Sequence, residues 1–325
     1  MPRPPASPTF VASPVPLITR ADAPHADRAV RGGELVPVAR GVFAPAEVWR
    51  PLPPWEKYLA RVHAAAQSYP DAVFVAESGA ALRGLPVFGQ PPEVHLLLPH
   101  PSKSRALTGI RVHTTERMPE HERIGGIQVA TAEEIAVDIA RTRHPAVGLA
   151  VAGAALRRDP ELSADRLSRL SEARPSERGR RHARWVFERA SGEPESPLEH
   201  VSLAVIEWLG FPTPELQKWF NAPVPGDDDR VDCWWAQWAI AGEADGEVKY
   251  SGAFGDARAA LRARNARDAR LRERGVKAIA HWGWPDVVAY EQLRALLVAV
   301  GLHPVRPEQS APLRSLARAL RPQAR

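Results

Sequence analysis

Between residues 55 and 157 the apolar positions change period several times. Trp55, Leu59, Val62 and His63 share one face of a helix over 55–67. Short apolar runs at 73–76, 93–98, 110–114 and 127–130 predict strands, with a helical turn over 78–82 closed at Gly84. Thr131 followed by Glu134 has capping-box spacing, and Ile135 and Ile139 fall on one face of the helix it opens. Another apolar helix is expected over 146–157. Strands interleaved with helices predict an α/β unit here. A second patterned region, 197–302, reads helix (197–209), three strands (215–220, 230–235, 238–244), a long helix (256–274), a strand (276–282) and a last helix (286–300). Pro197 suits the first helical position and Gly210 a helix end.

The remaining segments set the boundaries. Residues 1–18 carry Pro2, Pro4, Pro5, Pro8, Pro14 and Pro16 and predict a disordered or extended tail. Residues 19–54 hold a short helix over 24–31, stopped at Gly32 and Gly33, and a small hairpin from 34–38 and 41–44, the tail end of a winged-helix pattern. Residues 158–190 read as a charged helical linker, with helices over 163–172 and 178–189. Ser191, Gly192, Glu193 and Pro194 mark a boundary between the 55–157 unit and a 191–302 domain, and 303–325 reads as a basic tail. The fold class expected is mixed α/β (α+β).

Composition refines this picture. Among 325 residues the net charge is +5, and all but five of the 43 basic residues are Arg. The planar guanidinium fork suits phosphate, so a nucleic-acid partner is plausible, although a rise in Arg, Ala and Pro together also follows from genomic base composition. The single cysteine, Cys233, excludes internal disulfides and Cys-based zinc sites. No signal-peptide pattern is visible, and the longest apolar stretch, 145–156, is too short to span a bilayer. A cytoplasmic protein without membrane contact is expected.

Chemistry concentrates in 197–302. If 236–237 form a two-residue hairpin turn, position 232 faces position 241. Asp232 and Glu243 then share a face as diagonal neighbours, roughly 7 Å apart at the backbone. Val231, Cys233, Trp235, Trp238, Ile240 and Ala244 point to the other, apolar face. A turn longer by one residue would break this parity. Beyond lie Asp245, Glu247 and Lys249. Two or three carboxylates and a lysine suit phosphodiester hydrolysis: the acids hold Mg²⁺, with Mn²⁺ as a substitute, and the lysine orients water or stabilises developing negative charge.

Ser196-Pro197-Leu198-Glu199, Gln217, Arg230-Val231-Asp232, Glu243-Ala244-Asp245-Gly246, Lys249-Tyr250, Arg267-Asp268 and Trp284-Pro285-Asp286 occur in that order. Together they resemble the very-short-patch-repair-related endonuclease-like domain of the PD-(D/E)XK nuclease superfamily. The resemblance implies a restriction-endonuclease-like fold, a central mixed sheet flanked by helices, and cleavage of DNA in phage defence or repair. It implies Asp232 and Glu243 as metal ligands with Glu199 nearby. Asp245 stands where the superfamily motif has lysine, which makes Lys249 a displaced equivalent, and His281 stands where many relatives have arginine. Further upstream, Arg40-Gly41-Val42-Phe43-Ala44, the 78–86 segment and 126–140 are similar to the abortive-infection type IV antitoxin family. That likeness implies a winged-helix DNA reader and a toxin partner.

Each functional reading stands beside a structural one. Glu199, three residues after Ser196, fits a capping box; Asp232 beside Arg230 fits a strand-end ion pair. Asp227, Asp228 and Asp229 read as a solvated loop. Arg258 and Arg262 share a face of the 256–274 helix, as do Arg267, Arg270 and Arg274, which suits either phosphate contact or a solvated amphipathic surface. The same choice applies to Arg180, Arg181 and Arg184. The Trp234, Trp235 and Trp238 cluster reads as core.

Overall fold

The computed structural model describes residues 9–89, 91–98, 105–107, 109–115, 118–221, 228–245 and 257–320. It begins with β1 (Ile18–Thr19), α1 (Ala26–Arg31), β2 (Leu35–Ala39), β3 (Val42–Pro45) and α2 (Ala46–Trp49). The expected helix and hairpin form, but the sheet gains a third strand, in the order β1-β3-β2. That strand starts inside the segment read as a disordered or extended tail. Residues 9–18 are anchored, with a bend at 14–15: the Val11 N–H donates to the Leu82 carbonyl at 2.9 Å, and Val15 is buried against Ala44 and Ala60. Proline removes a backbone donor, but it does not stop Val11 and Val15 from burying apolar surface.

Next come α3 (Pro54–Ser68), β4 (Val73–Phe74), α4 (Ala76–Leu82), β5 (Val94–Leu97), β6 (Arg105–Leu107), β7 (Ile110–His113), β8 (His121–Ile124), β9 (Ile127–Ala130), α5 (Ala132–Thr142) and α6 (Pro145–Arg158). The six strands form one mixed sheet in the order β6-β7-β5-β4-β9-β8. Thr131 Oγ1 accepts the Glu134 N–H, so the predicted cap is present. Phe74, Leu96, Ile135 and Ile139 fill the core. The segment read as a charged linker forms α7 (Ala164–Glu172) and α8 (Arg180–Phe187), and both are part of that core through Leu167, Ala183, Val186 and Phe187. The charges dominate the count along 158–190, but the few apolar residues fall on one face of each helix and decide where it docks.

The second unit holds α9 (Pro197–Trp208), β10 (Glu215–Phe220), β11 (Asp229–Trp235), β12 (Ile240–Ala244), α10 (Ala257–Glu273), β13 (Ala278–Trp282), α11 (Trp284–Val288), α12 (Tyr290–Ala299) and α13 (Ser310–Leu320). Its sheet runs β10-β11-β12-β13; the first two pairings are antiparallel, and β12 pairs with β13 in parallel. A parallel pair needs a crossover, which α10 supplies. Leu198, Val205, Trp208, Cys233, Trp235, Ile240 and Trp282 share one core. Val231 instead joins Ala241, Leu271 and Val276 beneath α10, as does the partly buried Trp234. The alternation expected of β11, with Val231 on the face of Cys233 and Trp235, is therefore not kept along the strand. The expected basic tail also differs: α13 buries Leu313 and Leu316, whose spacing of three makes a helix face, while 321–325 lie outside the described residues. Among the described residues no helix is long and apolar enough to cross a membrane.

Helix α6 serves both units. Val151, Ala152 and Ala155 belong to the first core, and Ala146, Leu149 and Ala150 to the second. Its small residues let α9 come close: a Cβ on Gly153 would lie 1.8 Å from His200 Nε2. The imidazole has little freedom to yield, because it is buried with its nitrogens 2.9 and 3.2 Å from the carbonyls of Ser196 and Ser191. Overpacking of this kind costs about 1–3 kcal/mol, against a helix-propensity gain of about 1 kcal/mol from Gly to Ala. Gly153→Ala is expected to lower the denaturant midpoint; an unchanged or higher midpoint would show that His200 moves aside at no cost.

Candidate active site

The site grows from the register of three neighbouring strands. Cys233 pairs with Gly242, Trp234 with Ala241 and Trp235 with Ile240. Beyond Cys233 the Asp232 carboxylate accepts the backbone N–H of Ala244, the neighbour of Glu243. The hairpin loop is 236–239, with Ala239 at φ 53°, rather than the two-residue turn expected. This shifts the register by two positions, an even number, so side-chain parity is the one expected over Cys233–Trp235. On the other side, Leu216 pairs with Cys233 and Lys218 with Val231, so Gln217 lies opposite Asp232. Glu243 pairs with His281 on β13.

Glu199 arrives from the first turn of α9. Ser196 Oγ accepts the Glu199 N–H at 3.2 Å, so the predicted cap exists. The Glu199 carboxylate meanwhile takes the Glu195 N–H at 2.8 Å and the Gln217 Nε2 at 2.9 Å. The capping role and the site role therefore coexist in one residue. Gln217 Nε2 also lies 3.4 Å from Asp232 Oδ1, and Asp232 Oδ2 accepts the Ala244 N–H at 2.9 Å. Glu243, also buried, accepts from Arg267 at 2.8 Å; Arg267 donates as well to the Arg230 carbonyl.

Burial sets the charge state of these acids. Burial first, then the negative charge of Glu199, pushes Asp232 up to about 6, against the Ala244 and Gln217 hydrogen bonds. Burial likewise pushes Glu243 up to about 7, with Asp232 adding to the rise and Arg267 opposing it. Asp245 behaves oppositely. Burial would raise it, but the His281 hydrogen bond and the charges of His281 and Arg264 hold it below the usual carboxylate range. The His281 ring is bracketed, with Nδ1 2.9 Å from Asp245 and Nε2 3.1 Å from Asp268. Although burial lowers it, these partners raise its pKa overall and favour the imidazolium, in which both nitrogens donate. Asp245 thus holds a histidine from the next strand whose pKa is raised.

Lys249 lies outside the described residues, as does Glu247. Among the described residues no group of three or more His, Cys, Asp and Glu side chains is gathered closely enough to hold a metal ion. Glu199 and Asp232 converge on the Gln217 nitrogen, and Glu243 is drawn toward Arg267.

The expected solvated loop at 227–229 needs correction at its last residue. Asp229 is 5% exposed and opens β11. It takes Arg270 at 2.8 and 3.0 Å and Arg274 at 3.0 Å, with Arg267 Nε at 3.7 Å. These arginines do share a helix face, as their spacing predicts, but that face looks inward at one carboxylate. A run of three aspartates suggests solvent; the opposing Arg spacing was the signal that one of them is buried. Arg258 and Arg262 are exposed on α10. Arg184 pairs with Glu172 and Arg180 with Glu172 and Glu177, while Arg181 is exposed. Sequence reasoning gave no role to Gln217 or Asp268, since neither residue type by itself marks chemistry. No family model, no curated relative and no solved structure matches this chain.

Proposed function

We propose that the four-stranded sheet carries a metal-dependent nuclease site that hydrolyses phosphodiester bonds of DNA. One observation supports this reading: carboxylates from α9 and β11 converge on the same amide nitrogen, and the charge of Asp232 adds to the cost of ionising the buried Glu243 on the next strand. Hard oxygen donors of this kind suit Mg²⁺ or Mn²⁺, held by Glu199, Asp232 and Glu243. When bound, the ion polarises the scissile phosphate and acidifies a water. The acids are not gathered around an ion among the described residues; what favours a cation near them is electrostatic. Burial and mutual repulsion push Asp232 and Glu243 toward the protonated form, and positive charge among them relieves both effects.

The chain's own residues supply the remaining roles. Arg267 holds Glu243 and offers a guanidinium to an incoming phosphate oxygen. His281, fixed by Asp245 and Asp268, which favour its charged form, pairs with Glu243 across the strands, and Lys249 assists. Exposed Arg258 and Arg262 on α10 contact phosphates farther along the strand. Purified protein incubated with supercoiled plasmid and Mg²⁺ or Mn²⁺ is expected to nick or linearise it, and Glu243→Ala is expected to abolish cleavage. Retention of wild-type cleavage in Glu243→Ala would sink the assignment.

The Arg267–Glu243 bond favours a second reading, because it engages an acid that the first reading assigns to the ion. Here the domain is a non-catalytic platform in a DNA-binding regulator of the antitoxin type, with a toxin as partner. It predicts salt-dependent DNA retention that persists in Glu243→Ala without strand scission.

A further inference from the structure

A single exposed aromatic side chain is ordinary on a protein surface. Trp219 differs in its setting. It is 56% exposed on β10, the edge strand of the four-stranded sheet. Its neighbour Phe220 turns to the other face and packs edge-on against Trp234, their ring centres 5.0 Å apart, so alternation along the strand sends the indole outward. Arg230, its partner on β11, lies over the ring with its guanidinium carbon 5.4 Å from the centre. Glu195 holds that guanidinium at 2.7 Å and also takes Arg157 at 2.9 Å. One face of the indole is thus backed by a fixed cation, and the other is open. Arg157 leads into a cleft of about 440 Å³ between the two units, walled by Pro86, Arg158, Pro194, Ser196 and Pro197. Arg158 donates to the carbonyls of Arg83 and Gly84, and no carboxylate pairs with it among the described residues. The guanidiniums of Arg157, Arg158 and Arg230 therefore line this surface against the single carboxylate of Glu195. At its far end, two residues back along β10, Gln217 reaches Glu199 and Asp232.

An open ring face beside a row of cations suits a ligand with flat π-faces and regularly spaced negative charges. A nucleic-acid strand has both. A duplex hides its base faces in the stack, so only an unpaired base can lie on an indole. We propose that this surface is a track for single-stranded DNA: a base stacks on the open face of Trp219, and the backbone runs past Arg230 and Arg157 into the cleft, where Arg158 meets a phosphate. The guanidinium behind the ring adds cation–π attraction and keeps the indole from swinging away. The inference rests on the DNA-binding part of the reading above and holds for the catalytic and the platform versions alike. It names the substrate class, a strand that is unpaired where it crosses the sheet edge.

Fluorescence anisotropy of a labelled strand of about 16 nucleotides, alone or annealed to its complement, reads binding to the full chain, and EDTA keeps cleavage out of the measurement. Wild type is expected to bind the single strand more tightly than the duplex. Trp219→Leu keeps an apolar side chain but removes the ring, and is expected to bind the single strand about 10-fold more weakly. Trp219→Phe keeps a ring and is expected to stay within about 3-fold of wild type. Because the indole is exposed, both variants are expected to melt with wild type. Arg158→Gln can still donate to the Arg83 and Gly84 carbonyls but lacks the charge, and is expected to flatten the slope of log affinity against log salt by about 0.7. Wild-type single-strand affinity in Trp219→Leu overturns the track and leaves DNA binding standing. So does a wild type that holds the duplex as tightly as the single strand. Equal losses in Trp219→Leu and Trp219→Phe overturn the stacking role, and an unchanged salt slope in Arg158→Gln overturns the part given to the cleft. A wild-type dimer that falls apart in Trp219→Leu, seen by light scattering, makes the indole a contact between copies and overturns the track. No binding of either DNA form at low salt overturns the DNA readings and this inference together.

Discussion

Asp229→Ala is expected to destabilise the second unit by about 2–4 kcal/mol. Removing one member of a buried ion pair costs roughly 3–5 kcal/mol when its partners stay buried and uncompensated. Here the partners are graded: Arg274 is 15% exposed at its side chain, Arg267 30% and Arg270 42%. Water therefore recovers part of the loss for Arg270 and little of it for Arg274. The acid does more than neutralise charge. It ties the C-terminal half of α10 to the start of β11, and the same helix carries Arg267 to Glu243 and Asp268 to His281. Asp229→Ala is thus expected to loosen the site as well as the fold. The pH dependence has a definite sign. Burial would raise the Asp229 pKa, but the Arg270 hydrogen bond and the charges of Arg270, Arg274 and Arg267 hold it below its ordinary value of 3.8. A depressed carboxylate contributes stability above its unfolded pKa and loses it as pH falls through the folded one. The gap between wild type and Asp229→Ala in urea unfolding is therefore expected to be full at pH 7 and to narrow below pH 3.8. A gap that widens on acidification, or a neutral Asp229→Ala, would show that the arginines hold α10 without the acid.

Much of this architecture is legible in local signals. Caps were visible at Thr131 and Ser196 because a hydroxyl three residues before a glutamate has one economical conformation there. The strands at 215–220, 230–235 and 238–244 were visible as apolar alternation or apolar runs; they appear as β10 with the same bounds, β11 one residue longer and β12 two residues shorter. What failed depended on partners distant in the chain. β6 and β8 are short strands completed by neighbours in the sheet, so their own composition carries little signal. The charged helices α7 and α8 dock through a few side chains that charge counts conceal. Position 153 reads as an ordinary small residue of an apolar helix; only the approach of His200, 47 positions later, explains why nothing larger fits. The turn between Asp232 and Glu243 was misjudged by two residues, an even error that leaves side-chain parity unchanged over the paired positions 233–235. Gln217, Asp245, Asp268 and His281 were singled out by the resemblance, but their contacts with one another and with the acids could not be read, since each requires the sheet order to be known.

Glu243→Gln is expected to abolish metal-dependent cleavage and at the same time to stabilise the cation-free protein by about 1–3 kcal/mol at pH 8. The two effects share a cause. The folded protein holds Glu243 in a site where burial and the charge of Asp232 push its pKa to about 7, far above the ordinary 4.5. Between those values the native state binds more protons than the unfolded chain, so stability falls as pH rises from about 4.5 to about 7 and levels off above. Asp232, raised from 3.8 to about 6, contributes a slope of the same sign at slightly lower pH. Glutamine at 243 removes the larger of these slopes and keeps an oxygen to accept from Arg267, so its advantage over wild type should be absent near pH 4.5 and grow toward pH 8. Saturating Mg²⁺ should then reverse the order, because binding to the native state stabilises wild type by mass action and the variant lacks the charge to respond. Thermal melts of both proteins across pH 4.5–8, with and without Mg²⁺, test each part. A Glu243→Gln protein less stable than wild type at pH 8 without metal would mean that the Arg267 ion pair outweighs the strain of the buried acid, and would favour the platform reading over the nuclease.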